Sequence, residues 1–317
     1  MTGFLIRRIL QAIIVVIGVT IIAFILQNLI ATGPALAHTI IGPRATSQQI
    51  HEFIATYGLN QPMPVQYWHF LWQLLHGNLG YSFKENQSVD AILGQQLPKD
   101  VVLVGSSLVL SLLIAIPLGI AQAVRRNKLV DHVGTGLSFL LYSMPTYWLS
   151  LLLIAAFSVS LQWLPAEAPQ GTNVGQILAD PAGLVLPIAS LTLVNYALFS
   201  RYMRSSAIEN LAQDYIRTAR AKGLSERYLL ARHLLRNSLI PVTTMVGLSL
   251  PGILTAGLVT EYVFNFPGIG LTFFNAAVTS DYPVELGIAV LVGLVTVAGN
   301  VLADIGYAVL DPRVRYE

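Results

Sequence analysis

The chain has 317 residues, of which 54% are hydrophobic and 11% are charged, and it contains no cysteine. About a quarter of the residues in soluble domains are charged, so this composition excludes an ordinary soluble domain and indicates a membrane protein. The lack of cysteine excludes disulfides, thiolate metal sites and thiol chemistry. The formal net charge of +2 gives no indication of a nucleic-acid partner, and none is expected.

Long stretches without Asp, Glu, Lys or Arg recur along the chain. A helix needs about 20 apolar residues to cross the bilayer core, and a charge at the bilayer centre costs about 2.5–3.5 kcal/mol. We therefore predict an all-α integral membrane protein in which residues 1–317 form a single transmembrane domain. Its six predicted spans are 9–31, 101–124, 133–161, 182–202, 238–260 and 285–308.

The distribution of basic residues predicts the orientation of these spans. Lys and Arg accumulate in the cytoplasmic connections of membrane proteins. If the N-terminus lies inside, fifteen of the eighteen Lys and Arg residues fall in inside segments, and only Arg44, Lys84 and Lys99 lie outside. We therefore predict that both termini are cytoplasmic (N-in/C-in).

The first outside segment, 32–99, contains two predicted amphipathic helices. Residues 46–49 have the pattern of a capping box, and apolar residues at helical spacing follow until Gly58. A second helix is predicted between Pro64 and Gly77. Short helices rich in Trp and Tyr suit a membrane interface. They either pack on the outer ends of the spans or form a docking surface for a soluble partner.

Polar residues within the spans allow two interpretations. They could line a wet path, or they could form interhelical hydrogen bonds worth about 0.6 kcal/mol each. The path-lining residues are therefore left unassigned among Ser190, Thr192, Asn195, Ser249 and Thr255. The spans carry no acid or base near their centres, whereas ion-coupled transporters usually place ionisable residues at mid-membrane.

Motifs for enzymatic chemistry are missing from the sequence. No lysine follows a glycine, so the phosphate-binding GxxxxGK[ST] loop is absent, and GxSxG is absent too. His51-Glu52 begins like the zinc motif HExxH, but position 55 is Ala. We predict a chain that is not an enzyme and that has no ATPase motif, catalytic residue, metal site or cofactor of its own.

The inside loop 204–238 is the most informative segment. From Asp214 to Arg236 it carries six Lys or Arg residues against two acids. Apolar residues alternate with charge up to Gly223, which predicts a short amphipathic helix followed by a second one. A lipid anchor explains the charge but not the run of small residues, which suits a groove on another protein. The candidate contact residues are Arg217, Thr218, Ala219, Arg220, Ala221, Lys222, Gly223 and Leu224.

This loop resembles the cytoplasmic coupling loop, or EAA loop, of permease subunits from binding-protein-dependent ABC importers. More narrowly, the chain is similar to the dipeptide/oligopeptide branch, "B" type, over nearly its whole length. Two departures stand out: residues 217–219 read Arg-Thr-Ala where the generic loop has Glu-Ala-Ala, and residues 32–35 read Thr-Gly-Pro-Ala where the branch has Pro-Gly-Asp-Pro. The motifs are FLIRRILQAI (4–13), GPRAT (42–46), YGLNQPMPVQY (57–67), GNLGYS (77–82), SMPTYW (143–148), RYMRSS (201–206), YIRTARAKGL (215–224), RNSLIP (236–241), NFPGIG (265–270), DYPV (281–284) and YAVLDPRVR (307–315).

The resemblance implies the type I ABC importer permease fold and a multi-pass location in a prokaryotic inner membrane. It implies a homologous second permease subunit, two ATP-binding cassette subunits that carry ATP and Mg²⁺, an extracytoplasmic substrate-binding protein and surrounding lipid. Di- or oligopeptides are the implied substrates, with nickel, glutathione or an oligosaccharide as alternatives. The alternative class is a stand-alone secondary transporter or channel, which needs its own coupling-ion residues or selectivity ring.

Overall fold

The structure, a computed structural model, describes residues 2–30, 37, 45–56 and 58–310. Most of these residues are helical. The departure at residues 32–35 lies outside the described residues, as do Arg313 and Arg315, whose charge contributes to the predicted orientation. The helices are α1 (Thr2–Ile30), α2 (Ser47–Thr56), α3 (Met63–Leu75), α4 (Val89–Val124), α5 (Leu129–Ser143), α6 (Thr146–Leu153), α7 (Val174–Ala179), α8 (Pro181–Leu211), α9 (Asp214–Ala221), α10 (Glu226–Tyr228), α11 (Leu235–Phe264), α12 (Ile269–Thr279) and α13 (Tyr282–Leu310).

Two π-helical segments and one small hairpin complete the described elements. The π-helical segments are Ile154–Ser160, which continues α6, and Leu229–Leu234, which joins α10 to α11. Strands β1 (Tyr81–Ser82) and β2 (Gln87–Ser88) pair antiparallel just before α4.

Three helices of the described part are long and apolar enough to cross a membrane, namely α4, α8 and the part of α13 from Tyr282 to Val301. A fourth span results if α5 and the helical run Thr146–Ser160 count as one bent span. The helices α1 and α11 are of similar length, with 29 and 30 residues. The architecture is therefore mostly helical with three to four candidate spans by length and composition.

The bend between α5 and α6 amounts to 106°. It falls at Met144 and Pro145, both of which are extended, with ψ of 130° and 137°. Proline has no N–H to donate, and its ring disfavours helical geometry in the residue before it. The predicted span 133–161 therefore consists of two helical pieces that meet at a sharp angle.

The core lies mainly between α4 and α8, which form the most extensive helix contact, with α11 packed against α8 and α13. Gly119 of α4 faces Met203 of α8 so closely that an added Cβ would lie 2.8 Å from the Met203 Cβ. The side chains of Tyr196, Phe199 and Val242 fill the space around this contact. Close backbone approach at a glycine thus sets the spacing of the central helix pair.

The segment 32–99 contains two short helices, α2 and α3. The Gln49 N–H donates to the Thr46 hydroxyl at 3.3 Å, and the Thr46 N–H donates to Gln49 Oε1 at 2.9 Å, which is the predicted capping box. Helix α3 packs on α1, since the hydroxyls of Tyr67 and Thr20 lie 2.9 Å apart and the Tyr67 and Phe24 rings are 5.4 Å apart. This contact places α3 against one of the long helices of the chain.

Candidate coupling site

The loop between α8 and α11 folds as two short helices separated by a turn. Helix α9 ends at Ala221, and Gly223 follows with φ +77°, in the left-handed region that favours glycine. The Gly223 N–H donates to the Arg220 carbonyl at 2.9 Å, and the Leu224 N–H donates to the Ala219 carbonyl at 3.3 Å. These two bonds form a Schellman motif, so the predicted helix break at Gly223 is confirmed.

One face of α9 is fixed to the rest of the chain. Ile216 is fully buried, and Ala219 is 6% exposed. Both pack with Leu229 and Leu234 of the following π-helical segment and with Ala207 of α8. The loop therefore packs as a unit against the C-terminal parts of α4 and α8.

The other face of α9 and the turn after it lie open. All of the remaining candidate contact residues are exposed: Arg217, Thr218, Arg220, Ala221, Lys222, Gly223 and Leu224. The structure thus separates Ala219 from the other seven, because its side chain packs into its own chain. Thr218, Ala221 and Gly223 give the exposed face a small-residue surface that another protein can approach closely.

Two exposed ion pairs accompany this surface. Arg220 contacts Glu226 at 2.9 Å across the turn, and Arg217 contacts Asp214 at 3.4 Å within α9. Exposed pairs contribute about 0–1 kcal/mol each. The stability of the loop therefore depends on its apolar face more than on these charges.

A half-buried ion pair lies close to the start of the loop. The Arg204 guanidinium of α8 donates to both oxygens of Asp131 of α5, at 2.5 and 2.9 Å. The Asp131 carboxylate also accepts from the Thr135 hydroxyl and from the Asn127 N–H. The Asp131 side chain is 3% exposed and that of Arg204 is 27% exposed. This bidentate contact fastens the start of α5 to the part of α8 that leads into the loop.

A second charged cluster combines residues from the first half of α4 with one near the C-terminal end of α11, and the sequence patterns did not reveal it. Lys99, Asp100 and Glu261 are 2%, 1% and 0% exposed. They border the predicted spans 101–124 and 238–260, so they do not conflict with the expectation of no acid or base near the span centres, which gave them no role. Their position at matching ends of two spans was the available signal, but only the fold brings them together.

The polar residues of the fourth predicted span bond mainly to backbone atoms. Ser190 is fully buried and donates to the Pro187 carbonyl at 2.9 Å, while Thr192 donates to the Ser107 carbonyl of α4 at 3.4 Å. The side chains of Ser249 and Thr255 lie outside the described residues. Among the described residues, no three His, Cys, Asp or Glu side chains stand close enough together to hold a metal ion.

A mostly helical chain with several apolar helices long enough to cross a membrane fits a membrane transport component. Residues 115–316 match the family of binding-protein-dependent transport system inner membrane components, and residues 1–104 match the N-terminal family of the same components. The chain belongs to this family. It is thus an inner-membrane permease subunit of a binding-protein-dependent ABC transport system.

Individual relatives match along their full lengths. The chain is 36% identical over 318 residues to the oligopeptide transport system permease protein AppB of Bacillus subtilis, with 100% of both chains covered. It is 32% identical over 340 residues to the dipeptide transport system permease protein DppB of Escherichia coli, again with 100% of both covered. A putative peptide permease protein of Brucella suis is 35% identical over 317 residues, with 99% of both covered.

Proposed function

We propose that this chain forms half of the path by which an ATP-driven importer moves di- or oligopeptides inward. The observation that carries the proposal is full-length similarity to permeases named for oligopeptide and dipeptide transport. The chain forms part of the path, and its loop passes movement of the ATPase subunits to the spans. The partner subunits bind Mg²⁺ and hydrolyse ATP.

The orientation that fits this function has six spans with both termini inside. The long helices α1 and α11 are then spans in addition to α4, α5 with α6, α8 and α13. The positive-inside distribution of Lys and Arg supports the orientation. It leaves the loop 204–238 on the cytoplasmic side and the segment 32–99 on the outer side.

The assembly that fits contains a homologous second permease, two ATP-binding cassette subunits beneath the pair and a binding protein above it. The exposed face of α9, formed by Thr218, Ala221 and Gly223 with their charged neighbours, enters a groove on an ATPase subunit. Because Ile216 and Ala219 fix α9 to its own chain, closure of the ATPase dimer pushes on the ends of α8 and α11. The spans then alternate between inward-open and outward-open states.

The function is tested with the complete transporter in proteoliposomes. A labelled tripeptide should accumulate inside the vesicles only when its binding protein is supplied outside them and ATP is supplied inside them. Nickel, glutathione and an oligosaccharide, each with the same binding protein, serve as competitors. Uptake that follows an ion gradient and needs no ATPase subunit would favour the secondary transporter, and uptake of only a competitor would overturn the peptide assignment.

Cysteine labelling tests the orientation, since the chain has no native cysteine. Thr172→Cys and Thr279→Cys should react with an impermeant thiol reagent added outside intact cells, whereas Ser225→Cys should react only after permeabilisation. All three positions are exposed, so burial does not explain a lack of reaction. The reverse pattern would contradict the orientation.

A further inference from the structure

Two carboxylates from different long helices hold the N-terminus of α12. The Ile269 N–H donates to both oxygens of Asp100, at 3.0 and 3.2 Å. The Leu271 N–H donates to Glu261 Oε2 at 2.9 Å. Asp100 belongs to α4 and Glu261 to α11, so α12 is bonded to two helices that are far apart in sequence.

Glycines allow this close approach. Gly268 has φ −120°, so its backbone suits any residue, but a Cβ there would run into carboxylate oxygens of both Asp100 and Glu261. At Gly270 a Cβ would lie 2.7 Å from the backbone nitrogen of Leu258 in α11. Glycine is therefore required at positions 268 and 270 because a side chain would clash with α11 or with the two carboxylates. The backbone conformation does not require it.

The N-terminus of α12 favours carboxyl acceptors at this point. It carries a partial positive charge that stabilises nearby carboxylates, whereas burial of the two groups side by side is costly because they are desolvated and repel each other. An uncharged Ser or Asn cap satisfies such N–H groups without burying charge. Burying two carboxylates costs more free energy than burying an uncharged Ser or Asn cap. Such a cost is expected where a contact must hold while helices move.

The far end of α12 is also bonded. Asp281, directly before α13, accepts a short hydrogen bond from the Ser82 hydroxyl of β1. Lys99 of α4, next to Asp100, donates from its ammonium to the Gly171 carbonyl at 3.1 Å and so attaches the loop before α7 to α4. Helix α12 is thus a hub that α4 and α11 contact directly, with the hairpin bonded just after its C-terminal end.

Helix α11 links this hub to the coupling loop. It begins at Leu235, directly after the loop, and carries Glu261 near its other end. At 1.5 Å per residue, the distance between these two positions along the helix axis is about 39 Å. A displacement of the loop therefore reaches Glu261 through one continuous helix.

We propose that Asp100 and Glu261 are positioning residues that form an outer latch, which makes α12 move together with α4 and α11. The latch transmits displacement of the coupling loop to the outer surface, where the binding protein docks. This inference rests on the proposed function for the direction of the movement, while the latch contact itself does not depend on it.

The test uses the full transporter with Glu261→Ala and Asp100→Ala, each combined with a reporter cysteine, Ala276→Cys. Ala276 is 5% exposed on the inner face of α12, so its labelling rate reports how often α12 separates from its neighbours. Loss of the hydrogen bonds from one of these carboxyl groups should raise that rate by about fivefold or more. The ATPase activity without binding protein should persist, and its stimulation by loaded binding protein should be lost.

Matched variants separate the latch from general damage. Glu167→Gln removes an exposed carboxylate of an outside loop and should change neither readout. Gly268→Ala should reproduce the latch defect while keeping both carboxylates, whereas Gly94→Ala, whose Cβ meets nothing within 4 Å, should not. Glu261→Gln retains an acceptor oxygen. Its labelling rate and its stimulation by binding protein should lie between those of Glu261→Ala and those of the unmodified transporter.

Unchanged labelling and full stimulation in Glu261→Ala, Asp100→Ala and Gly268→Ala would overturn the latch. A decrease of the basal ATPase activity and of its stimulation by the same factor would also overturn the latch, because a merely structural role predicts that result. Failure of the proposed function looks different: the unmodified transporter then shows no stimulation at all, and the Ala276→Cys labelling still reports the latch.

Discussion

Replacing Ala221 by Trp is expected to abolish ATP-driven uptake and to weaken association with the ATPase subunits, while membrane insertion stays intact. Ala221 is exposed beside Thr218 and Gly223, so the added ring meets no neighbour in its own chain and clashes only with a docked partner. Loss of a central interface contact costs about 2 kcal/mol or more. Uptake in proteoliposomes and co-purification of the ATPase subunits measure the two effects.

The controls use the inward and outward faces of the loop. Ala219→Arg should also abolish uptake, but by unseating α9 from Ile216, Leu229 and Leu234. Gly223→Trp adds bulk and also forces a side chain onto a left-handed backbone. Gly223→Ala measures the free-energy cost of the backbone strain alone, about 1 kcal/mol. Arg232→Gln should have little effect, because Arg232 is exposed.

A lipid anchor predicts the opposite ranking, with loss of charge harmful and added bulk tolerated. If Ala221→Trp retains full uptake and bound ATPase while Arg232→Gln loses both, the coupling role of this loop is wrong.

Replacing Arg204 by Ala is expected to destabilise the folded chain by about 3 kcal/mol, because it leaves the buried Asp131 carboxylate without its partner. The pair joins α5 to α8, so the defect should appear as a lower unfolding temperature of the purified subunit in detergent. Arg204→Lys keeps the charge but not the bidentate geometry. Its unfolding temperature should lie between those of Arg204→Ala and the unmodified subunit.

The neighbouring Arg201 provides the matched control. Its guanidinium lies 5.0 Å from the Phe139 ring centre and 4.9 Å from that of Tyr142, and such contacts contribute about 0.5–1 kcal/mol at exposed sites. Arg201→Ala should therefore destabilise much less than Arg204→Ala. Equal unfolding temperatures for the two variants would show that the Asp131 contact contributes no special stability.

Local chemistry was predictable from the sequence. The capping box at Thr46 and Gln49 and the helix stop at Gly223 depend on a few adjacent residues, so their side chains and backbone preferences suffice to identify them. The family followed from motifs along the whole chain. The small-residue run of the loop was visible too, although the inward direction of Ala219 was not, because it depends on packing against Ala207 and Leu234.

Long-range contacts could not be predicted in this way. Asp100 and Glu261 meet only because α4 and α11 bring them to the same end of α12, and nothing in the local sequence of either residue specifies the other. The pairing of Asp131 with Arg204 is of the same kind. The 106° bend at Pro145 is an intermediate case, since proline indicates a break but not its angle.

Photo-cross-linking from the exposed loop face tests the central claim most directly. Because the chain has no cysteine, Ala221→Cys can carry a thiol-linked benzophenone at one defined position of this subunit, which is labelled before assembly with its partners. We expect a cross-link to an ATP-binding cassette subunit that changes in yield when ATP is bound, and none to that subunit from Thr172→Cys on the outer side. Cross-links from position 221 to lipid alone, in a complex that retains its ATPase subunits, would contradict the coupling role of the loop.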